Sequence, residues 1–180
     1  MDARQISDVL AAGPVCAASD AMARVPTGPG YYSIFVDSAE SLPMPYRDRL
    51  TSMKTELLYI GIATASLHQR LFKQDLRHRN PSTFFRGIGA ILGYRPPTGS
   101  LLRKKNQNNY KFNAADTKAI IDWINGHLLV AWIEEDPAYG ATERFAIAAR
   151  RPLLNTKHNP NPCAELRDLR LRCRQVALSR

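Results

Sequence analysis

The chain has 180 residues, 44% of them hydrophobic, which is enough for one domain with a substantial core but cramped for two. No apolar run approaches the roughly 20 residues that span a bilayer, and the N-terminal sequence lacks the basic head and sustained apolar core of an export signal. The formal net charge is +9 and the three cysteines lack CxxC spacing, so we expect a cytoplasmic protein with an anionic partner, with neither a disulfide framework nor a zinc site.

Two antiparallel strands joined by a long connection are predicted first. Turn residues followed by an aromatic and β-branched run predict a strand over residues 30–36, and LLYIGIA at 57–63 predicts its partner. The connection at 37–56 is too long for a tight hairpin and contains two prolines, so we expect an insertion with a short helix near 46–53. A role of this insertion in recognition is left open.

Two helices are predicted after the second strand. Ser66 is a candidate N-cap for a helix over 67–78, and Ser82 is one for a helix over 83–93 that supplies phenylalanine and isoleucine side chains to the core. On the first helix, the spacing of three basic residues predicts one cationic face, formed by Arg70, Lys73 and Arg77.

A basic polar loop, a helix and a strand are predicted next. The loop covers 94–111. Asn113, with an aspartate three residues later, predicts the start of a helix over 114–125, which Gly126 is expected to stop. The apolar run HLLVAWIEE at 127–135 then predicts a strand.

Two further helices are predicted in the C-terminal part. Asp136 and Pro137 are expected to open a helix that ends before Pro152, and 153–162 is loop-like. Residues 164–177 predict a basic amphipathic helix. Its apolar stripe is formed by Leu166, Leu169, Cys173 and Val176.

The basic excess is confined to residues 67–111. Ten lysines and arginines lie there against Asp75 alone, so this quarter of the chain carries the whole net charge of +9. Arginines outnumber lysines 18 to 7 in the full chain, and guanidinium groups match the geometry of phosphates. A nucleic-acid surface is favoured over a merely solvated basic face, and its candidate contacts are Lys73, Arg77, His78, Arg79, Arg86, Arg103, Lys104 and Lys105.

Two tripeptides, Gly30-Tyr31-Tyr32 and Tyr59-Ile60-Gly61, lie on the first two predicted strands. Together they resemble the signature of the GIY-YIG nuclease superfamily. Three further family features follow in order: an arginine after the second strand, a glutamate in a late helix and an asparagine soon after it, here Arg70, Glu143 and Asn155. The resemblance covers roughly residues 28–160.

The resemblance implies an α/β (α+β) fold with a small central, mostly antiparallel sheet flanked by helices. In the corresponding domain division, residues 1–27 are an N-terminal extension and 28–160 are the nuclease-like domain, with the insertion at 37–56. Residues 161–180 are a basic C-terminal helix, expected either to contact nucleic acid or to dock a partner protein.

The resemblance also implies a metal-dependent endonuclease that hydrolyses DNA, with RNA not excluded as a substrate. In the family's mechanism Tyr59, supported by Tyr32, orients and deprotonates the attacking water. Arg70 is expected to stabilise the transition state, and Glu143 to hold one Mg²⁺ or Mn²⁺ ion. Asn155 completes the implied catalytic set.

Two points about the tyrosines stay open. A tyrosine titrates near pH 10, so a phenolate at neutral pH is either a rare species or requires a pKa lowered by about three units, which corresponds to roughly 4 kcal/mol. Arg70 and a nearby metal are expected to provide much of this for Tyr59. Tyr31 is an alternative to Tyr32 as the inward tyrosine, because adjacent strand residues face opposite ways.

The chain also departs from the family pattern. Tyr32 and Tyr59 are separated by 26 residues, more than the family's usual spacing, and Ile62 stands where many relatives have a lysine. Candidate replacements for that cation are His68, Lys73 and His78. Two other functions are kept as alternatives: a catalytically inactive nucleic-acid-binding module on the same scaffold, and a regulatory or assembly protein with acidic protein partners. The oligomeric state is left open.

Overall fold

One four-stranded sheet forms the centre of the protein in the computed structural model, which describes residues 1–136 and 140–180. Its strands in chain order are β1 (Cys16–Ala17), β2 (Gly30–Val36), β3 (Leu57–Ala63) and β4 (Leu128–Glu134). They are arranged in the order β1-β4-β2-β3, and every pair is antiparallel. The predicted fold class, α/β (α+β) with a central antiparallel sheet flanked by helices, is confirmed.

Helices cover both faces of the sheet. The α-helices are α1 (Ala3–Ala11), α2 (Ala21–Arg24), α3 (Tyr46–Met53), α4 (Thr83–Ile91), α5 (Ala114–His127), α6 (Ala141–Arg150) and α7 (Ala164–Leu178). A 3₁₀ turn spans Ala39–Ser41, and a π-helix spans His68–Leu76. None of the helices in the described ranges combines the length and apolar character needed to cross a bilayer.

Strand β2 separates two buried clusters because its side chains alternate between the two faces of the sheet. Tyr31 belongs to the smaller cluster, together with Ile6 of α1 and Ile147 of α6. Tyr32 belongs to the larger cluster, which includes Tyr59 of β3. Between the two candidate tyrosines, Tyr32 is therefore the one that shares a face with Tyr59.

Most of the predicted elements are present. The first two strands have the predicted bounds, and the helix expected near 46–53 is α3. Ser82 caps α4 by accepting a hydrogen bond from the backbone N–H of Phe85 at 2.9 Å, as its position predicts. Asn113 caps α5 in the same way.

Two details of the predicted helices differ in the structure, and a third lies outside the described residues. Helix α5 continues through Gly126 to His127, so the prediction that this glycine stops the helix is wrong; the chain passes directly into β4 without a left-handed glycine there. In α7 the buried stripe includes Ala177, whereas Val176 is only half-buried. The predicted beginning of a helix at Pro137 lies outside the described residues, and α6 begins at Ala141.

The helix predicted over 67–78 is a π-helix, in which hydrogen bonds close wider turns than in an α-helix. Arg70 donates to Asp75, whereas Arg77 donates to Asn125 of α5 and to the carbonyl oxygen of Ala18. The predicted cationic face of Arg70, Lys73 and Arg77 is therefore divided: Lys73 and Arg77 line one cavity, whereas the guanidinium of Arg70 is paired with Asp75.

Residues 1–27, for which no element is predicted from the sequence, contribute to the sheet and its cover. Helix α1 begins with a reciprocal capping pair between Asp2 and Gln5, and β1 pairs with β4. The N-terminal residues therefore form one edge of the sheet and part of the smaller buried cluster. The division into an extension, a nuclease-like domain and a C-terminal helix stays a prediction.

Gly61 is required where Tyr32 crosses it from the neighbouring strand. The two residues are cross-strand partners, and a Cβ atom at Gly61 would lie 2.3 Å from Cζ and 2.4 Å from Oη of Tyr32. We expect Gly61→Ala to lower the free energy of unfolding by about 2 kcal/mol, because overpacking a core costs about 1–3 kcal/mol. The measurement is urea unfolding monitored by fluorescence.

The matched control is Gly126→Ala. Gly126 is exposed in α5, and nothing lies within 4 Å of a Cβ atom built there. That substitution is expected to stabilise the protein by up to about 1 kcal/mol, because alanine loses less backbone entropy than glycine in a helix. Equal effects of the two substitutions would contradict the steric role of Gly61.

Candidate active site

Three of the predicted catalytic residues line one cavity of about 240 Å³. Tyr59 comes from β3, Glu143 from α6 and Asn155 from the segment after α6. Arg70 is not among the residues that line the cavity, but its charge acts to lower the pKa values of both Tyr59 and Glu143. The structure therefore brings these four residues together, and Tyr32 lies next to them, with its ring centroid 6.2 Å from that of Tyr59.

Tyr59 lines this cavity and also belongs to the larger buried cluster. Its side chain is almost fully buried, with its ring centroid 5.4 Å from that of Phe84 and 6.2 Å from that of Tyr32. Burial raises the pKa of Tyr59 well above its usual value, the negative charge of Asp75 adds to the rise, and Arg70 opposes it. Without a bound metal the phenol is neutral at pH 7, because burial outweighs the lowering effect of Arg70.

Asp75 is the central residue that the sequence analysis does not assign. Its carboxylate is fully buried and accepts hydrogen bonds from Tyr32 Oη at 2.5 Å, Arg70 Nη1 at 2.6 Å and Ser82 Oγ at 2.7 Å. Burial raises the pKa of Asp75, and the guanidinium of Arg70 acts against that rise. Its sequence signal is its position as the lone acid among ten basic residues in 67–111.

Tyr32 packs near Tyr59, with its ring centroid 6.2 Å away, but its hydroxyl is bound to Asp75. Its side chain is fully buried, its hydroxyl donates to Asp75, and it does not line the cavity. Burial and the charge of Asp75 raise the pKa of Tyr32 well above its usual value. Its geometry is that of a group holding Asp75, and through it Arg70, rather than one touching a water in the cavity.

Glu143 presents a half-buried carboxylate to the cavity and makes no hydrogen bond to any described residue. Burial raises its pKa, whereas Arg70, Lys157 and Arg144 lower it. Residues 1–136 and 140–180 contain no group of three or more side chains suited to a metal. A carboxylate with uncommitted oxygens fits Mg²⁺ or Mn²⁺, since such ions accept one protein carboxylate and retain several waters.

Asn155 fastens the segment after α6 to the edge of β3. Its Oδ1 accepts from the backbone N–H of Ile60 and its Nδ2 donates to the carbonyl oxygen of Ile60, both at 2.9 Å. The backbone N–H of Leu154 donates to the carbonyl oxygen of Leu58, which attaches the same segment to β3. Both ends of the carboxamide thereby help to hold one wall of the cavity against β3.

Ile62 stands where many relatives have a lysine, and a lysine from another part of the chain lies at the cavity. Ile62 packs against the smaller cluster, and none of His68, Lys73 and His78 lines the cavity. Lys157 does line it, together with the exposed His158. The cation at this cavity comes from the segment after α6, which the sequence analysis treats only as a loop.

The candidate nucleic-acid contacts occupy several places. Lys104 and Lys105 line a separate cavity of about 490 Å³ formed by the 94–111 loop, and Arg103 is exposed beside it. Another cavity is lined by Lys73, Arg77 and Arg79. These assignments stay predictions.

The last two candidate contacts, Arg86 and His78, pack on aromatic rings. Arg86 lies over Tyr110, with its guanidinium carbon 5.6 Å from the ring centroid. His78 stacks on Phe85 at 4.4 Å with both ring nitrogens buried. These assignments also stay predictions.

A family model described as the GIY-YIG catalytic domain matches residues 30–174. The matched range includes Tyr32, Tyr59, Arg70, Glu143 and Asn155. No curated protein and no solved structure gives a significant match.

Removing the Asp75 carboxylate is expected to destabilise the fold strongly. Asp75→Ala leaves the partly buried guanidinium of Arg70, whose side chain is 28% exposed, without its ion-pair partner. We expect the free energy of unfolding to fall by about 3 kcal/mol, at the lower end of the range for broken buried pairs. Chemical unfolding measures the change.

Asp122→Ala is the control, because Asp122 forms an exposed pair with Lys118 whose side chains are 58% and 78% exposed. Its loss is expected to change stability by no more than about 0.5 kcal/mol. An Asp75→Ala protein as stable as the control would refute the importance of the buried network.

His78 is expected to make stability depend on pH. Burial, with the charges of Arg86 and Lys111, lowers its pKa to about 4. The unfolded chain has a histidine pKa near 6.5, so it binds the proton more readily and stability falls as pH drops from about 6.5 towards 4. Asn is chosen as the replacement because His78 has a positive φ of 51°.

The unfolding free energies of the wild type and His78→Asn are compared between pH 8 and pH 4. We expect a constant difference above about pH 7 and a smaller wild-type advantage below it, because only the wild type loses stability through this titration. Parallel curves across the whole range would show that His78 is not held neutral by its surroundings.

Proposed function

Since the chain belongs to the GIY-YIG family of nuclease domains, we propose that it is a metal-dependent endonuclease that hydrolyses phosphodiester bonds in DNA. The observation that carries the proposal is the convergence of Tyr59, Glu143 and Asn155 on one cavity that Arg70 and Lys157 make cationic. Nucleases of this family generally act on DNA and generally depend on a divalent metal. Their signature residues here share a site, not merely a sequence order.

Tyr59 positions the attacking water. Hydrolysis forms a bond between a water oxygen and phosphorus and breaks the bond to the leaving oxygen, so the nucleophile must be held in line. A neutral phenol in the cavity accepts and donates hydrogen bonds, which suits orientation of a water. Orientation of the water is the role that a buried, neutral hydroxyl suits, whereas deprotonation of Tyr59 would need the charge of a metal held by Glu143 in addition to that of Arg70.

Arg70 and Lys157 supply positive charge to the phosphate. Negative charge develops on the phosphoryl oxygens in the transition state, and preorganised cations stabilise it. Arg70 is preorganised because Asp75 fixes Nη1, which leaves its remaining donors for a ligand. Tyr32 and Ser82 act through Asp75, so they are positioning residues in this proposal.

Glu143 holds the divalent ion, Mg²⁺ or Mn²⁺. When bound there, such an ion neutralises charge on the phosphate and stabilises the leaving oxygen. Glu143 itself contributes an oxygen ligand whose ionised form is favoured by Arg70 and Lys157. Asn155 keeps the wall that carries Lys157 attached to β3.

The basic side chains outside the cavity support the choice of a polyanionic substrate. Lys104, Lys105 and Lys111 share the cavity of the 94–111 loop, and Lys73, Arg77 and Arg79 share another, so each offers several cations to a phosphate backbone. The cytoplasmic location inferred from the sequence stays a prediction.

Nicking of supercoiled plasmid in Mg²⁺ or Mn²⁺ tests the proposal. We expect Glu143→Gln to lower the nicking rate at least about 100-fold, because it removes the charged metal ligand. Tyr59→Phe is expected to lower the rate by about 100-fold, through loss of water orientation. Tyr32→Phe is expected to cost only about tenfold, because its hydroxyl acts through Asp75.

Asp122→Asn is the matched control, since it removes one exposed carboxylate that does not line the cavity. This variant should keep wild-type activity. Metal-dependent nicking that survives Glu143→Gln would refute the metal assignment. Salt-sensitive DNA binding without nicking under any condition would instead identify the chain as a binding module on the nuclease scaffold.

A further inference from the structure

A second cavity of about 240 Å³ adjoins the candidate active site. Thr83, at the start of α4, lines both cavities. The second cavity is also lined by Arg86, Tyr110, Arg170 and Arg174. Three guanidinium groups from α4 and α7 thus meet beside the residues proposed to cleave the phosphodiester bond.

Arg170 connects the two cavities physically. Its Nη2 donates to the carbonyl oxygens of Thr83 at 3.2 Å and Leu154 at 3.3 Å, and its Nη1 donates to Thr156 Oγ1 at 3.5 Å. Leu154 and Thr156 line the candidate active site. A group held near Arg170 is therefore separated from the active site only by the wall that Arg170 itself supports.

The donors of this second cavity are incompletely used. The Nε of Arg170, the Nη1 of Arg86 and the hydroxyl of Tyr110 are buried and have no hydrogen-bond partner among the described residues. Buried polar groups in proteins are normally paired, and an unmade hydrogen bond to a charged group is costly. The unused donors come from three separate parts of the chain and surround one space.

The cavity also lacks compensating negative charge. No ion pair joins Arg86, Arg170 or Arg174 to a carboxylate within residues 1–136 and 140–180. Burial lowers the pKa values of Arg86 and Arg170, which reflects the cost of keeping these charges out of water. An anion entering the cavity would offset that cost and satisfy the donors together.

We propose that this second cavity binds a phosphate group of the nucleic-acid strand, next to the phosphodiester that the active site cleaves. The proposal rests on the proposed function. Guanidinium groups bind phosphate oxygens through paired, charge-assisted hydrogen bonds. Several guanidinium groups around one cavity suit one shared phosphate better than several phosphates with one arginine each. Holding the neighbouring phosphate fixes the scissile one over Tyr59 and Glu143.

The test measures binding in a protein that cannot cut. Affinities for a fluorescent DNA duplex are determined over a range of salt concentrations without divalent metal, in a Glu143→Gln background. Arg86→Gln and Arg174→Gln are compared with Arg172→Gln, whose arginine is exposed on the same helix α7 and does not line the cavity. Arg170 is left intact because it also holds α7 against the Leu154 segment.

We expect Arg86→Gln and Arg174→Gln each to reduce the slope of log affinity against log salt by up to about 1, the value for one lost phosphate contact. The double variant should also lose only about 1, because both arginines contact one phosphate. Arg172→Gln should keep the parent slope. Unchanged slopes in the cavity variants, or an equal loss in Arg172→Gln, would overturn the proposal.

The source of the phosphate is tested with covalently closed circular DNA, which has no terminal phosphate. The slope difference should persist on this DNA, since the proposed occupant is an internal phosphodiester. A difference confined to 5′-phosphorylated linear DNA would assign the cavity to a strand end and overturn the proposal. Because the readout is binding, a wild type that never nicks DNA would refute the proposed function and leave this result interpretable.

Discussion

The site depends on one buried carboxylate, that of Asp75, because three donors from three different elements meet on it. The three donors are the hydroxyl of Tyr32 on β2, the guanidinium of Arg70 on the π-helix, and the hydroxyl of Ser82, which is the N-cap residue of α4. A fully buried carboxylate is stable only when it is paired and hydrogen-bonded. Satisfying Asp75 therefore fixes the π-helix and the start of α4 relative to the sheet, and it orients the guanidinium of Arg70.

The same constraint explains the register of the two signature tripeptides on neighbouring strands, in which Tyr32 lies opposite Gly61. The Tyr32 ring crosses Gly61, where a larger residue would occupy its place, and its hydroxyl then reaches Asp75. Tyr59, two residues before the glycine, lies on the same face and presents its ring to Tyr32 and Phe84. One tyrosine is used to hold the network and the other to line the cavity, although their motif positions look equivalent.

The electrostatics of the region favour an anion and disfavour a phenolate. Burial and the charge of Asp75 raise the pKa of Tyr59, whereas the positive charges of Arg70 and Lys157 lower the pKa of Glu143 and so favour its ionised form. The adjoining arginines of α4 and α7 form no ion pair with a carboxylate among the described residues, so they add positive charge beside Thr83. A ligand with two successive phosphates would compensate both cavities, which links the cleavage chemistry to the way the strand is held.

The sequence by itself determined the two central strands and most of the predicted helix boundaries, because period-two and helical patterns and capping residues act over a few positions. The five candidate site residues came instead from the resemblance to the GIY-YIG family. The sequence did not reveal the hydrogen bond of Tyr32 to Asp75, the pairing of Asn155 with Ile60 or the contact of Arg170 with Thr83. These contacts join residues 43, 95 and 87 positions apart. Only the packing of helices on the sheet decides which distant polar groups meet, since burial then forces each one to find a partner.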